Sequence, residues 1–213
     1  MYKALIIDDN HSFIDSFKVM LKGMPVYFEK ASRFHEGKAL LTKSGTYINK
    51  NVVSEILNFN QSVMQSEKKD EVKVHTPKPI EIKSPPFNTE GYLFLFVEQH
   101  TESGMKGLQF INEIMRSGDR FNEENIFLFS SNISQIEAQA KKLGINCFEK
   151  PIRINALKPV LTQRIQKLQS LESNINQMVE KYKIQIAGES VKKKRSKMEI
   201  FAGAGSSDSD EKA

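Results

Sequence analysis

Asp8 and Asp9 come directly after the apolar run Ala4-Leu5-Ile6-Ile7, and Lys150 comes after the run Asn146-Cys147-Phe148-Glu149. Two adjacent carboxylates and a distant lysine, each at the end of an apolar run, are the groups that hold a divalent cation and a phosphoryl group. Ser130 ends a third run, Ile126-Phe127-Leu128-Phe129, and adds a hydroxyl. Such a site needs one more carboxylate, and the run Tyr92-Leu93-Phe94-Leu95-Phe96-Val97 should deliver it. Glu98-Gln99 stands at the end of that run, with no aspartate. Aspartates also cap helices after strand-to-helix turns, so the acidic pair alone does not separate a cation site from a cap.

The elements that must position these groups alternate regularly. A strand is expected over 4–7 and a helix over 11–21, capped by Asn10, with Phe13, Phe17, Met20 and Leu21 on its apolar face. A strand over 26–30 and a helix over 33–41, with Ser32 as cap, complete the first half. The rhythm then breaks between about 43 and 90. A helix is expected over 49–63, succeeded by a charged, proline-bearing linker over 66–91. Within that linker Val72-Lys73-Val74 and Ile80-Glu81-Ile82 alternate as in a small β-ribbon. Alternation resumes with a central strand over 92–97, a helix over 108–115, a strand over 125–130, a helix over 134–143 stopped by Gly144, and a strand over 147–149. A final helix starts after a cap at Asn155. Five strands alternating with five helices predict an α/β fold, a doubly wound five-stranded parallel sheet. Ligands of such sheets bind beyond the carboxyl ends of the strands. Asp8, Asp9, Glu98, Ser130 and Lys150 all fall there.

In order and placement, these pieces resemble the receiver domain of bacterial two-component response regulators. The resemblance rests on Leu5-Ile6-Ile7-Asp8-Asp9-Asn10, Gly104-Met105-Lys106-Gly107-Leu108, Phe127-Leu128-Phe129-Ser130-Ser131, and the stretch from Leu143 through Lys150-Pro151-Ile152-Arg153. It covers about residues 1–42 and 91–170 and implies the flavodoxin-like receiver fold. It implies Asp8 and Asp9 as Mg²⁺ ligands, Ser130 and Lys150 as the groups that sense a phosphoryl, and Phe148 as the switch aromatic. It also implies an aspartate acceptor after the third strand. Counting back eight residues from Gly107, as the family signature does, lands on Gln99; a loop one residue longer puts Glu98 there. Neither is aspartate, so the resemblance is to a degenerate member, a pseudo-receiver. Glu98 would supply a fixed negative charge able to pair with Lys150. No cofactor is expected beyond Mg²⁺ at Asp8 and Asp9, and no catalytic chemistry.

The final helix pattern runs past what covers a sheet, to about residue 186. Leu161, Leu168, Leu171, Ile175, Met178 and Tyr182 recur at heptad-like spacing. Two readings are open: a coiled coil that makes a homodimer or binds a partner, and a helix folded back on the helix of 49–65. The expected organisation is therefore a receiver-like domain over 1–170 interrupted at about 43–90, an extended helix over 157–187, and a disordered tail over 188–213. Of a net charge of +5, five positive charges sit in the tail, on Lys192, Lys193, Lys194, Arg195 and Lys197. The rest is near neutral, which disfavours a nucleic-acid-binding domain and leaves only weak contact through that cluster. The single cysteine excludes an intrachain disulfide and fits a reducing compartment. Apolar runs are strand-sized, and the first residues lack a signal-peptide pattern, so a cytoplasmic protein without a membrane span is expected. The leading functional reading is a signalling module acting by protein–protein contact, with a sensor kinase or a downstream signalling protein as partner. The alternatives are a phosphorylatable stand-alone regulator in a phosphorelay, and a structural scaffold.

Overall fold

The computed structural model describes residues 1–67, 80–101, 104–116 and 121–186. In chain order its elements are β1 (Tyr2–Ile7), α1 (His11–Met20), β2 (Val26–Ala31), α2 (Phe34–Ser44), α3 (Lys50–Glu67), β3 (Glu81–Ile82) and β4 (Tyr92–Glu98). They continue with α4 (Gly107–Arg116), β5 (Ile126–Ser130), α5 (Glu137–Lys142), β6 (Asn146–Glu149), α6 (Ile154–Lys181) and β7 (Gln185–Ile186). The chain divides into two compact units, residues 1–53 with 86–174 and residues 54–85 with 175–213.

The first unit is the predicted doubly wound sheet. Five parallel strands lie in the order β2-β1-β4-β5-β6. Every residue of β4 is buried, as a middle strand covered on both faces requires. Alternation along the strands divides the core in two. Leu5, Ile7, Leu95, Val97 and Leu128 face one way and pack with Phe34 and Leu41 of α2, Leu108 and Ile111 of α4, and Ala140 of α5. Ala4, Ile6, Phe94, Phe96, Phe127 and Phe129 face the other way and pack with Ile14 and Phe17 of α1 and Leu157, Leu161, Ile165 and Leu168 of α6. That second layer is built from phenylalanine, with the Phe96 and Phe127 rings stacked at 4.9 Å and Phe17 set edge-on to Phe96 at 5.1 Å.

Local signals explain most boundaries. Asn10 caps α1 by accepting a hydrogen bond from the Phe13 amide at 2.9 Å. Two expected caps are corrected. Arg33, not Ser32, stands at the start of α2, and the Ser32 amide instead donates to the Glu36 carboxylate at 2.9 Å. Asn155 lies inside α6, whose first residue is Ile154. The helix expected over 134–143 is shorter, because residues 133–135 form a single 3₁₀ turn before α5.

The break in the rhythm holds structure of its own. In the first unit, the Tyr47 amide donates to the Tyr92 carbonyl and the Tyr92 amide to the Gly45 carbonyl, at 2.9 and 3.0 Å. The Tyr2 and Tyr47 hydroxyls both donate to Glu172 of α6, at 3.2 and 2.6 Å. In the second unit, Phe59 of α3 meets Tyr182 edge-on at 5.5 Å, and the Tyr182 hydroxyl donates to Asn60 at 2.8 Å. Strand β3 pairs in parallel with β7; its expected ribbon partner, Val72 to Val74, lies outside the described residues. Helix α6 ends five residues short of the predicted limit. Lys183 takes a left-handed conformation (φ 51°), and the Ile184 and Lys183 amides return to the Val179 and Glu180 carbonyls, a Schellman stop. The extra turns are not bare: Leu161 and Leu168 are buried in the first unit, and Ile175 and Tyr182 in the second. Leu171 and Met178 are half-buried. The fold-back reading of this helix is the one observed.

Two tests probe this packing. Ile175→Ala should lower the unfolding free energy by about 2–4 kcal/mol in urea titrations, with the scattering mass unchanged. Burial, then the Glu172 carboxylate, raises the Tyr2 hydroxyl to about 12, and burial, then Glu29, does the same for Tyr92. Both folded values lie above the ordinary 10.0, so the stabilisation they give is complete below pH 10 and is lost as pH rises through 12. Phenolate absorbance should show these two groups titrating near pH 12, or together with unfolding.

Candidate functional site

Four strand ends of the first unit carry the candidate groups to one edge. Asp8 comes after β1, Glu98 ends β4, Ser130 ends β5, and Lys150 comes after β6. Backbone hydrogen bonds continue the ladder beyond the strands and set the spacing. The Gln99 amide donates to the Phe129 carbonyl and the Lys150 amide to the Ser130 carbonyl, both at 2.8 Å.

Lys150 is the hub. Its ammonium lies 2.6 Å from Asp8 Oδ2 and pairs with Glu98 Oε2. Both carboxylates are almost wholly buried, with side chains 1% and 8% exposed. Their other oxygens are held by the backbone: Asp8 Oδ1 accepts from the Asn10 amide at 2.8 Å, and Glu98 Oε1 from the His100 amide at 3.3 Å. Glu98 Oε2 has no well-directed hydrogen bond, so the lysine charge is its compensation. The Phe13 ring covers the ammonium on a further side, with its centroid 3.9 Å away, a cation–π contact. One cation thus serves two buried anions, an arrangement that fails if the cation is removed.

Glu98 and Gln99, the two candidates for the acceptor position, separate. Glu98 points into the edge and meets Lys150. Gln99 is buried and turns to the start of α4, where its side-chain oxygen accepts from the Leu108 amide at 3.0 Å and its carbonyl accepts from the Gly107 amide at 2.8 Å. Gly107 permits that contact, since a Cβ there would lie 2.4 Å from the Glu98 carbonyl oxygen. Asp9 is half-exposed beside the edge. Ser130 is fully buried, and its hydroxyl oxygen accepts from the Asn132 amide at 3.0 Å. Phe148 is half-buried against Phe127 and Phe129, at 6.2 and 6.4 Å between ring centres. The basic residues Lys192, Lys193, Lys194, Arg195 and Lys197 lie outside the described residues. Phe13 is a site residue that the sequence pattern assigns only to a helix face. Its signal is its place in the first turn of the helix after the acidic pair.

The arrangement does not fit Mg²⁺. A magnesium ion takes several oxygen donors in near-octahedral geometry. Among the described residues no three acidic, histidine or cysteine side chains converge in that way, and the space between Asp8 and Glu98 is filled by the Lys150 ammonium. The single lysine charge offsets one of the two buried carboxylates and is shared between them. Burial, then the Glu137 carboxylate, pushes the Cys147 thiol up to about 11, away from the reactive thiolate form. Among the described residues no helix is long and apolar enough to cross a membrane.

No family model matches the chain, and neither does any curated protein. Solved structures do. The chain is similar to a response regulator receiver domain protein from Clostridium thermocellum at 14% identity and a TM-score of 0.50, over 80% of this chain and 99% of that one. It is similar to the signal receiver domain of a putative LuxO repressor protein from Vibrio parahaemolyticus at 13% identity and a TM-score of 0.50, over 80% and 95%. The fold is therefore that of receiver domains, the flavodoxin-like sheet with a long C-terminal helix added.

Lys150→Met should leave two buried carboxylates without their cation and lower stability by about 3–5 kcal/mol. Gly107→Ala should cost about 1–3 kcal/mol through forced displacement of the β4–α4 loop. Both are read from denaturant midpoints at constant m-value.

Proposed function

We propose that this chain is a receiver-like signalling module in which Glu98 stands at the acceptor position and supplies a permanent negative charge. The observation that carries this reading is the pairing of Lys150 with Glu98 while Gln99 is committed to the start of α4. In a phosphorylated receiver the acceptor gains charge and recruits the lysine. Here a carboxylate already does so, and the module stays in one charge state. Its output is protein–protein contact at the carboxyl edge of the sheet, with a sensor kinase or a downstream signalling protein as partner, and it performs no catalysis. A homodimer through α6 is not part of the proposal, because four of the six apolar positions that would form it are buried within the chain. A reducing, cytoplasmic setting agrees with one cysteine held as a thiol.

The experiment is incubation with acetyl phosphate and Mg²⁺, then intact mass spectrometry. The expected result is no adduct. A hydroxylamine-sensitive gain of about 80 Da would show a working acyl-phosphate acceptor and replace this reading with that of a phosphorylatable stand-alone regulator.

A further inference from the structure

A concavity of the first unit lies beside the buried ion cluster, between α4 and the start of α5, with a volume of about 480 Å³. Pockets for small ligands run from about 300 to 1,000 Å³. Three basic side chains line it, His100, Lys106 and Arg116. Amides make up most of the remaining rim, with Gln109, Asn112, Gln135 and Gln139 turned to it. Leu108 and Ile136 supply the apolar floor. No carboxylate lines this cleft among the described residues.

This is an uneven distribution of charge. Outside the basic run at 192–197, the chain has 26 lysines and arginines and 26 acidic residues, whereas the described lining holds Lys106 and Arg116 and no acid. The acids carried by the same two helices are engaged elsewhere. Glu113 of α4 pairs with Lys38 at 3.9 Å, and Glu137 of α5 lies close enough to Cys147 to act on its thiol. Lys106 and Arg116 form no ion pair with any described residue. They stand ten positions apart at the two ends of α4, about 15 Å along the helix. The base of the cleft is fixed before any ligand arrives, because a backbone bridge joins His100 to Lys106 and Gln99 clamps the first turn of α4.

We propose that this cleft binds a small, multiply charged organic phosphate of nucleotide size. Its phosphates would take the unpaired cations, through charge-assisted hydrogen bonds, and its neutral part would take the amide rim. A concavity of this volume suits a small molecule rather than an extended polyanion, which needs a groove. The proposal does not depend on the identity of the acceptor position, so it survives or fails apart from the function proposed above.

Isothermal titration of the full-length protein with ATP, and separately with pyrophosphate, tests it. Two variants are required, Lys106→Ala with Arg116→Ala, and a tail variant with Lys192, Lys193, Lys194, Arg195 and Lys197 all changed to Ser. The altered side chains of the cleft are exposed, and circular dichroism should confirm that the fold is unchanged. The expected result is saturable one-to-one ATP binding that weakens at least tenfold in the cleft variant and less than twofold in the tail variant. Binding lost only in the tail variant, or no saturable heat with ATP, would overturn the proposal. Pyrophosphate bound as tightly as ATP would overturn the nucleotide-sized ligand, since phosphate alone would then be what the cleft recognises.

Discussion

Lys150 lies between the carboxylates of Asp8 and Glu98, and its position ties β1, β4 and β6 together where the sheet would otherwise end in three separate loops. Two carboxylates this deeply buried are tolerated only beside a cation and backbone donors. The requirement spreads outward. It sets the turn from Asp8 to Asn10, which also caps α1 and brings Phe13 over the ammonium. It sets the course of the chain after Glu98, where Gln99 must turn away and Gly107 must come close. The phenylalanine layer beneath excludes water from the inner side of the cluster, so the attraction acts in a medium much less polar than water.

Much of this is legible in the sequence, for identifiable reasons. Strand ends are marked by the switch from apolar to polar or charged residues, and that switch locates Asp8, Ser130 and Lys150. The parallel sheet follows from the alternation of strands and helices, and the central place of β4 from its unbroken apolar character. The choice between Glu98 and Gln99 is not legible, because it depends on where the strand stops pairing. The ladder carries on from Gln99 to Phe129, and Glu98 meets Lys150 while Gln99 turns to the start of α4. The helix caps expected at Ser32 and Asn155 are off by one or two residues, the usual slack where several polar residues compete. The end of α6 falls earlier than its pattern suggests, because its stop is a left-handed lysine and carries no glycine signal.

Between α2 and β4 the sequence predicts a helix over 49–63, which α3 matches, and a linker over 66–91, whose residues 86–91 belong to the sheet unit. Apolar periodicity alone does not distinguish a seam that meets a second chain from one that meets the same chain. Here Tyr182, just past the end of α6, meets Phe59 edge-on and donates to Asn60 of the same chain.

The central claim is that Glu98 and Lys150 form a coupled buried pair. A double-mutant cycle measures it directly, with Glu98→Gln, Lys150→Met and the double variant compared by urea denaturation. A coupling energy of at least about 1.5 kcal/mol is expected. A value under about 0.5 kcal/mol, the range of an exposed surface pair, would contradict it.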